Sequence, residues 1–272
     1  MPHTPGQPRR TRLARVAGST VVAVSLLHLG AHLTGHERLA DRSQWLLMPL
    51  LALTLALATR PVGPEERHPR LVRLLLAALV ASWLGDTAPD LAPEGAGFLV
   101  MVGFFLVAQT VLVAAFWPYR DRSVLALGAP TGGAARRWLL APYLAALVAL
   151  VAACAPGADG LLVPVVVYGV ALVSMAVLAT GVNRLTWAGG AVFLVSDALI
   201  ALDAFADGYA LPRHGFWVML TYIVAQVLIT AGVHREVRGS GVNGTGRTTA
   251  GETTAGGQPP SAAASASTAS VS

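Results

Sequence analysis

Apolar residues in this chain do not alternate with polar ones. They continue for about twenty residues at a time and then stop at short clusters of arginine, glycine and proline. A run of about twenty apolar residues, coiled at 1.5 Å per residue, matches the hydrocarbon core of a bilayer. Eight such runs occur, at residues 16–35, 44–60, 71–89, 96–117, 138–155, 161–180, 186–205 and 215–234, the second being short. They predict an all-α, polytopic membrane helix bundle with about eight transmembrane helices. The predicted membrane domain covers 16–238, after a basic stretch at 1–15. Residues 239–272 consist mostly of Gly, Ser, Thr, Ala and Pro. That composition has too little apolar area to offset the entropy of ordering and predicts a disordered tail.

The placement of charge tests the span count. Arg9, Arg10, Arg12 and Arg15 precede the first run like the n-region of a secretory signal. No small-x-small cleavage site ahead of a polar domain follows them, so residues 16–35 read as a first span. With eight spans, alternate connections share a side of the membrane. One side then carries sixteen of the nineteen arginines, and the other only Arg38, Arg42 and Arg213. The excess of positive charge on cytoplasmic loops predicts an integral protein of the cell membrane with both termini in the cytoplasm.

Composition narrows the classes further. Charged residues make up 12% of the chain and hydrophobic residues 54%, against about 25% charged in soluble domains. The net charge of +5 and a pI near 10.1 raise nucleic acid as a partner. The arginines lie in scattered short clusters and form no basic face, which excludes it. All nineteen basic residues are arginine, and the single cysteine, Cys154, permits no intrachain disulfide.

Two carboxylates lie inside apolar runs, Asp86 near the end of the third and Asp197 within the seventh. A charged side chain at the middle of a spanning helix costs about 2.5–3.5 kcal/mol on insertion scales, so a helix that keeps one has a partner or a use for it. Both runs travel outward in the predicted topology, which brings the two aspartates to compatible depths. Gln109, Tyr168, Ser196, Tyr222 and Gln226 are further polar groups on apolar faces. The plain alternative is that each aspartate is a structural group bonded to a neighbouring helix. Asp90 lies one turn beyond Asp86, with Pro89 expected to end that helix, and Asp203 points elsewhere, nearer the surface. His28, His32 and His36 share one face of the first run. No HExxH motif or cysteine accompanies them, and no metal site or cofactor is expected. Gly103, Gly169, Gly181, Gly189 and Gly190 fit close helix approach. Trp83, Phe104, Phe105 and Met175 fit packing. No P-loop, nucleophile elbow or dinucleotide-binding glycine motif is present.

Five stretches carry a resemblance: ASWLGD (81–86), FFLVAQTVLVAAFW (104–117), YGVALVSMAVLA (168–179), AGGAVFLVSDALIALDAF (188–205) and TYIVAQVLITAGV (221–233). Together they resemble the YhhN family of lysoplasmalogenases over residues 40 to 234, and that family is likewise expected to have eight spans. One departure stands out. The family usually has Thr-Lys-Pro before its second span, where this chain has Ser43-Gln44-Trp45, so a phosphate headgroup meets no lysine there.

The resemblance implies hydrolysis of the vinyl ether bond of a lysoplasmalogen, a membrane lysolipid, to a fatty aldehyde and a glycerophospho-headgroup. Vinyl ethers resist bases but yield to protonation at the β-carbon, which leaves an oxocarbenium ion for water to capture. Such chemistry needs one carboxylic acid and one carboxylate, as in glycoside hydrolysis. Desolvation and mutual repulsion split such a pair. On this reading Asp86 and Asp197 are the catalytic pair. Gln109, Tyr168, Tyr222 and Gln226 orient water or headgroup, and Ser196 bonds a carboxylate. Two other classes compete. A proton-coupled transporter would relay protons through the same aspartates, although no inverted repeat or pair of Gly/Pro-broken spans is visible. A lipid-binding protein without turnover would tolerate loss of both.

Overall fold

The computed structural model describes residues 7–59, 68–126 and 138–251. Contacts divide the chain into two units, Met1–Val237 and Arg238–Ser272, and the bundle discussed below belongs to the first. Residues 1–6 of the basic N-terminus, the connections carrying Arg60, Arg67, Arg136 and Arg137, and residues 252–272 of the expected tail lie outside the described residues.

The helices are α1 (Gln7–Thr34), α2 (Glu37–Ala58), α3 (Arg70–Thr87), α4 (Gly97–Phe116), α5 (Ala141–Ala158), α6 (Leu162–Ala179), α7 (Arg184–Phe205) and α8 (His214–Gly251). No strand occurs among the described residues. The protein is thus an all-α membrane bundle, but the expected count of eight spans is not reproduced. By length and hydropathy, six described segments qualify. The runs at 138–155 and 161–180 merge into one apolar segment, Trp138–Ala179, which α5 and α6 share across a single 3-10 turn at Asp159–Leu161. The short second run is not among the six. It lies on α2, whose first turns carry Glu37, Arg38, Asp41 and Arg42.

Helix ends follow local chemistry. Pro89, which has no N–H to donate, sits in the 3-10 turn Ala88–Leu91 immediately after α3. Asn183 caps α7, accepting from the Leu185 and Thr186 amides at 3.1 Å each. The same side chain donates to the Gly232 carbonyl on α8 at 2.8 Å, tying the start of α7 to the far part of α8.

Neighbours in sequence pack together: α1 on α2, α2 on α3, α3 on α4, and α6 on α7, while α4 also meets α6. The core holds Leu47 of α2, Leu75 and Leu79 of α3, Phe116 at the end of α4, Met175 of α6, Phe193 of α7 and Ile229 of α8, all fully buried. By contrast α5 buries only Cys154 and Ala158, and its Leu144 and Val148 face outward.

Candidate active site

Asp86 occupies the last turn of α3, directly after Gly85. A Cβ on Gly85 would fall 2.9 Å from two ring carbons of Phe105 on α4, so glycine is what allows that ring to lie on the α3 backbone. The Phe105 ring in turn packs edge-on against Tyr222 of α8, centroids 5.7 Å apart, and Phe193 of α7 does the same at 5.8 Å. Clamped between them, the Tyr222 hydroxyl donates to Asp86 Oδ2 at 2.9 Å. One turn earlier on α3, Ser82 Oγ accepts from Gln226 Nε2 at 3.1 Å. These two bonds fix an antiparallel register between α3 and α8, because four residues forward on one helix match four back on the other.

Asp197 is placed by α7 in the same manner. A Cβ on Gly189 would meet Ile229 and Ala225 of α8 at 2.7 to 2.9 Å, and one on Gly190 would meet Ala176 and Ala179 of α6 at 3.1 to 3.2 Å. Adjacent glycines thus let α7 approach two helices at once. Two turns further along α7 the same faces recur. Ser196 reaches α8 and donates to the Val218 carbonyl at 3.1 Å, and Asp197 reaches α6, where Oδ2 accepts from the Tyr168 hydroxyl. Gln109 of α4 is fully buried beside this pair. Neither of its amide atoms has a partner with hydrogen-bond geometry.

Both carboxylates line one cavity of about 270 Å³. Asp197 is buried and Asp86 half-buried. Tyr222 and Ser196 share the wall, and Asp41, Gln44 and Asp90 stand toward its polar side. Space of this size with polar partners holds water readily. No arginine or histidine is among the described residues that line it. Every member of the tripeptide that departs from the family pattern has a partner. Ser43 Oγ lies 2.9 Å from His28 Nδ1, Gln44 Nε2 is 3.5 Å from Asp86 Oδ1, and Trp45 Nε1 donates to Asp90 Oδ2 at 3.3 Å. The Trp83 indole adds a bond of 3.0 Å to the Trp45 carbonyl.

Of the residues singled out in the sequence, Asp86, Asp197, Tyr222 and Ser196 therefore meet at one cavity, with Tyr168 behind Asp197. Ser196 gives its hydrogen to a backbone carbonyl rather than to a carboxylate. Gln226 is occupied by Ser82, and Gln109 is buried beside Tyr168 and Asp197 and is not among the residues lining the cavity. His28 serves the α1–α2 contact, and among the described residues no group of three His, Cys, Asp or Glu is placed to hold a metal. Gly103 has no neighbour within 4 Å of an added Cβ, so of the five glycines it alone does not mark a close approach. Sequence reading missed Asp41 and the partner role of Gln44. Both sit in the polar first turns of α2, where polar residues are unremarkable. The mismatch between Gln44 and the lysine of the family pattern was the available signal.

The family model of the YhhN family matches residues 43–233, and the chain belongs to that family. It is similar to lysoplasmalogenases of Mycobacterium bovis and Mycobacterium tuberculosis, each 31% identical over 225 residues, which is 78% of this chain and 77% of the relative. No solved structure matches it.

Proposed function

From membership of this family and the paired carboxylates, we propose that the protein is a lysoplasmalogenase-like hydrolase. It cleaves the vinyl ether bond of a lysoplasmalogen within the membrane, with Asp86 and Asp197 as the acid/base pair. The observation that carries the reading is that two aspartates from different helices, each held by a tyrosine hydroxyl, line one cavity.

One carboxylic acid gives its proton to the β-carbon of the vinyl ether, and the positive charge moves to the oxygen-bearing carbon. Water in the cavity adds to that carbon while the other carboxylate takes its proton. The resulting hemiacetal collapses, the ether oxygen leaves as the glycerol hydroxyl with a proton, and the chain departs as an aldehyde. One water is consumed, and both carboxyl groups return to their starting forms. Preorganised general acid/base groups of this kind contribute about 10²–10⁴-fold each. Tyr168 and Tyr222 hold the carboxylates in place, and Gln109 is buried beside Tyr168.

The arrangement of charge supports an orientation with both termini in the cytoplasm. Arg122 pairs with Glu236 at 3.3 Å, the Val124 amide donates to Thr180 Oγ1 at 3.0 Å, and Asn183 binds Gly232. These contacts gather the arginine-bearing ends of α4, α7 and α8, while Asp41, Gln44 and Asp90 stand with the cavity near the opposite ends of their helices.

The test is aldehyde release from a lysoplasmenyl-ethanolamine by purified protein in detergent. Run in heavy water with immediate trapping, the aldehyde should carry one deuterium next to the carbonyl carbon, as β-carbon protonation requires. No aldehyde from well-folded protein sinks the proposal, and aldehyde without deuterium sinks the mechanism.

A further inference from the structure

A second, narrower space adjoins the polar cavity. It is a slot between α4, α6 and α7, lined from α5 by Leu150, with Phe98, Val102, Val165, Leu172 and Phe205 on its walls. Met101, Phe105, Asp197 and Ile200 line both spaces. One side of this seam therefore holds Asp41, Gln44, Asp86 and Asp90, and the other is hydrocarbon and aromatic rings, with the Tyr168 hydroxyl turned to Asp197 as its polar group. Phe98 and Phe205 stack edge-on, 5.5 Å between centroids, along the slot. Val102 and Val165 are only half-buried, and Leu99 beside them is 49% exposed, so the slot opens sideways on the surface that α4 and α6 present to lipid.

Resting on the hydrolase reading, we infer that this slot is the subsite for the hydrocarbon chain of a single-chain lipid, entered laterally from the bilayer between α4 and α6. The chain lies against Val102 and Val165, and its polar end crosses the seam into the cavity that holds Asp86. The free volume of the slot is about 60 Å³. A site for one water occupies about 10–15 Å³ on such a measure, so the slot takes only the few chain carbons nearest the seam. The rest of the chain extends into the bilayer. Water or a headgroup would leave its polar atoms unpartnered against such walls, which favours a hydrocarbon there. The geometry also separates the two acids. A β-carbon leaving the slot passes Asp197 first, which makes Asp197 the proton donor and leaves Asp86 to activate water on the polar side.

The test needs no turnover. A lysophosphatidylethanolamine carrying a diazirine on the chain carbons nearest the glycerol is photolysed with the purified protein, and adducts are mapped by peptide mass spectrometry. Adducts are expected on residues 98–105 of α4 and 162–172 of α6. In Val102→Trp or Val165→Trp, the adduct yield at those sites should fall about tenfold, the scale on which filled pockets reject a chain. Val163→Trp, on the outward face of the same helix (Val163 is 71% exposed), should leave the yield unchanged. Adducts spread over the outer surface, or equal labelling in the wild type and both filled variants, would overturn the subsite. Melting temperatures in detergent separate loss of the slot from loss of the fold, and if one filled variant unfolds the other decides. Labelling in the slot without aldehyde release keeps this subsite and rejects the hydrolase. Aldehyde release with scattered labelling does the reverse.

Discussion

Asp86 and Asp197 differ in what surrounds them. Asp86 is half-buried at the end of α3, with donors from two other helices, Tyr222 and Gln44, and faces the polar cavity. Asp197 is buried inside α7, with Tyr168 as its hydroxyl donor, and stands on the wall between the polar cavity and the apolar slot. The same residue type thus has two different surroundings. Asp86 lines only the cavity that also holds Asp41, Gln44 and Asp90, and Asp197 lines both that cavity and the apolar slot. That contrast suits a reaction whose first step protonates carbon and whose second adds water.

The contrast can be broken by removing each acid in turn. Asp197→Asn should lower aldehyde release about 10³-fold, and Asp86→Asn about 10²-fold, within the range of general acid/base groups. Full activity in either variant removes that residue from the mechanism, and the reverse order of losses reverses the roles. The tyrosines sharpen it next. Tyr168→Phe and Tyr222→Phe each leave a carboxylate short of a donor, a loss of about 1–3 kcal/mol, and kcat should fall about tenfold or more. The Tyr168 change should be the more severe, because Gln44 remains with Asp86. Gly85→Ala presses a methyl group onto the Phe105 ring. Overpacking of that kind costs about 1–3 kcal/mol, measured as a lower melting temperature in detergent, and an unchanged melting point would show that the ring moves aside freely. Gln44→Ala should have the smallest effect, at most about threefold on kcat/KM, since 3.5 Å is at the long limit of a hydrogen bond.

Much of this site is legible in the sequence because polar groups within apolar runs are conspicuous. Asp86, Asp197, Tyr168 and Tyr222 all declare themselves that way. The same reasoning cannot separate a group that serves a cavity from one that serves another helix. Gln226, Ser196 and Tyr222 look alike in the sequence, yet Tyr222 bonds Asp86 at the cavity, Gln226 bonds Ser82, and Ser196 lines the cavity while bonding a backbone carbonyl. Depth in the membrane says that a partner is needed, and only helix register says which. The slot is hidden for a related reason. Phe98, Val165 and Phe205 are ordinary apolar residues, and only the packing of α4, α6 and α7 gathers them. The span count missed for a third reason. The runs at 138–155 and 161–180, read as two spans, are one apolar segment broken only by the short turn at Asp159–Leu161, and the short second run sits on a helix whose first turns are charged.

Gly189 and Gly190 have a consequence for inheritance. They set the rotational phase of α7, and Ser196 and Asp197 are read out from that phase seven residues later. Changing a side chain between Gly190 and Asp197 alters one contact. Inserting or deleting a single codon there turns everything downstream by about 100° and carries Asp197 away from Tyr168. For this short stretch, the spacing is the trait that selection has to guard, ahead of the identity of most residues within it.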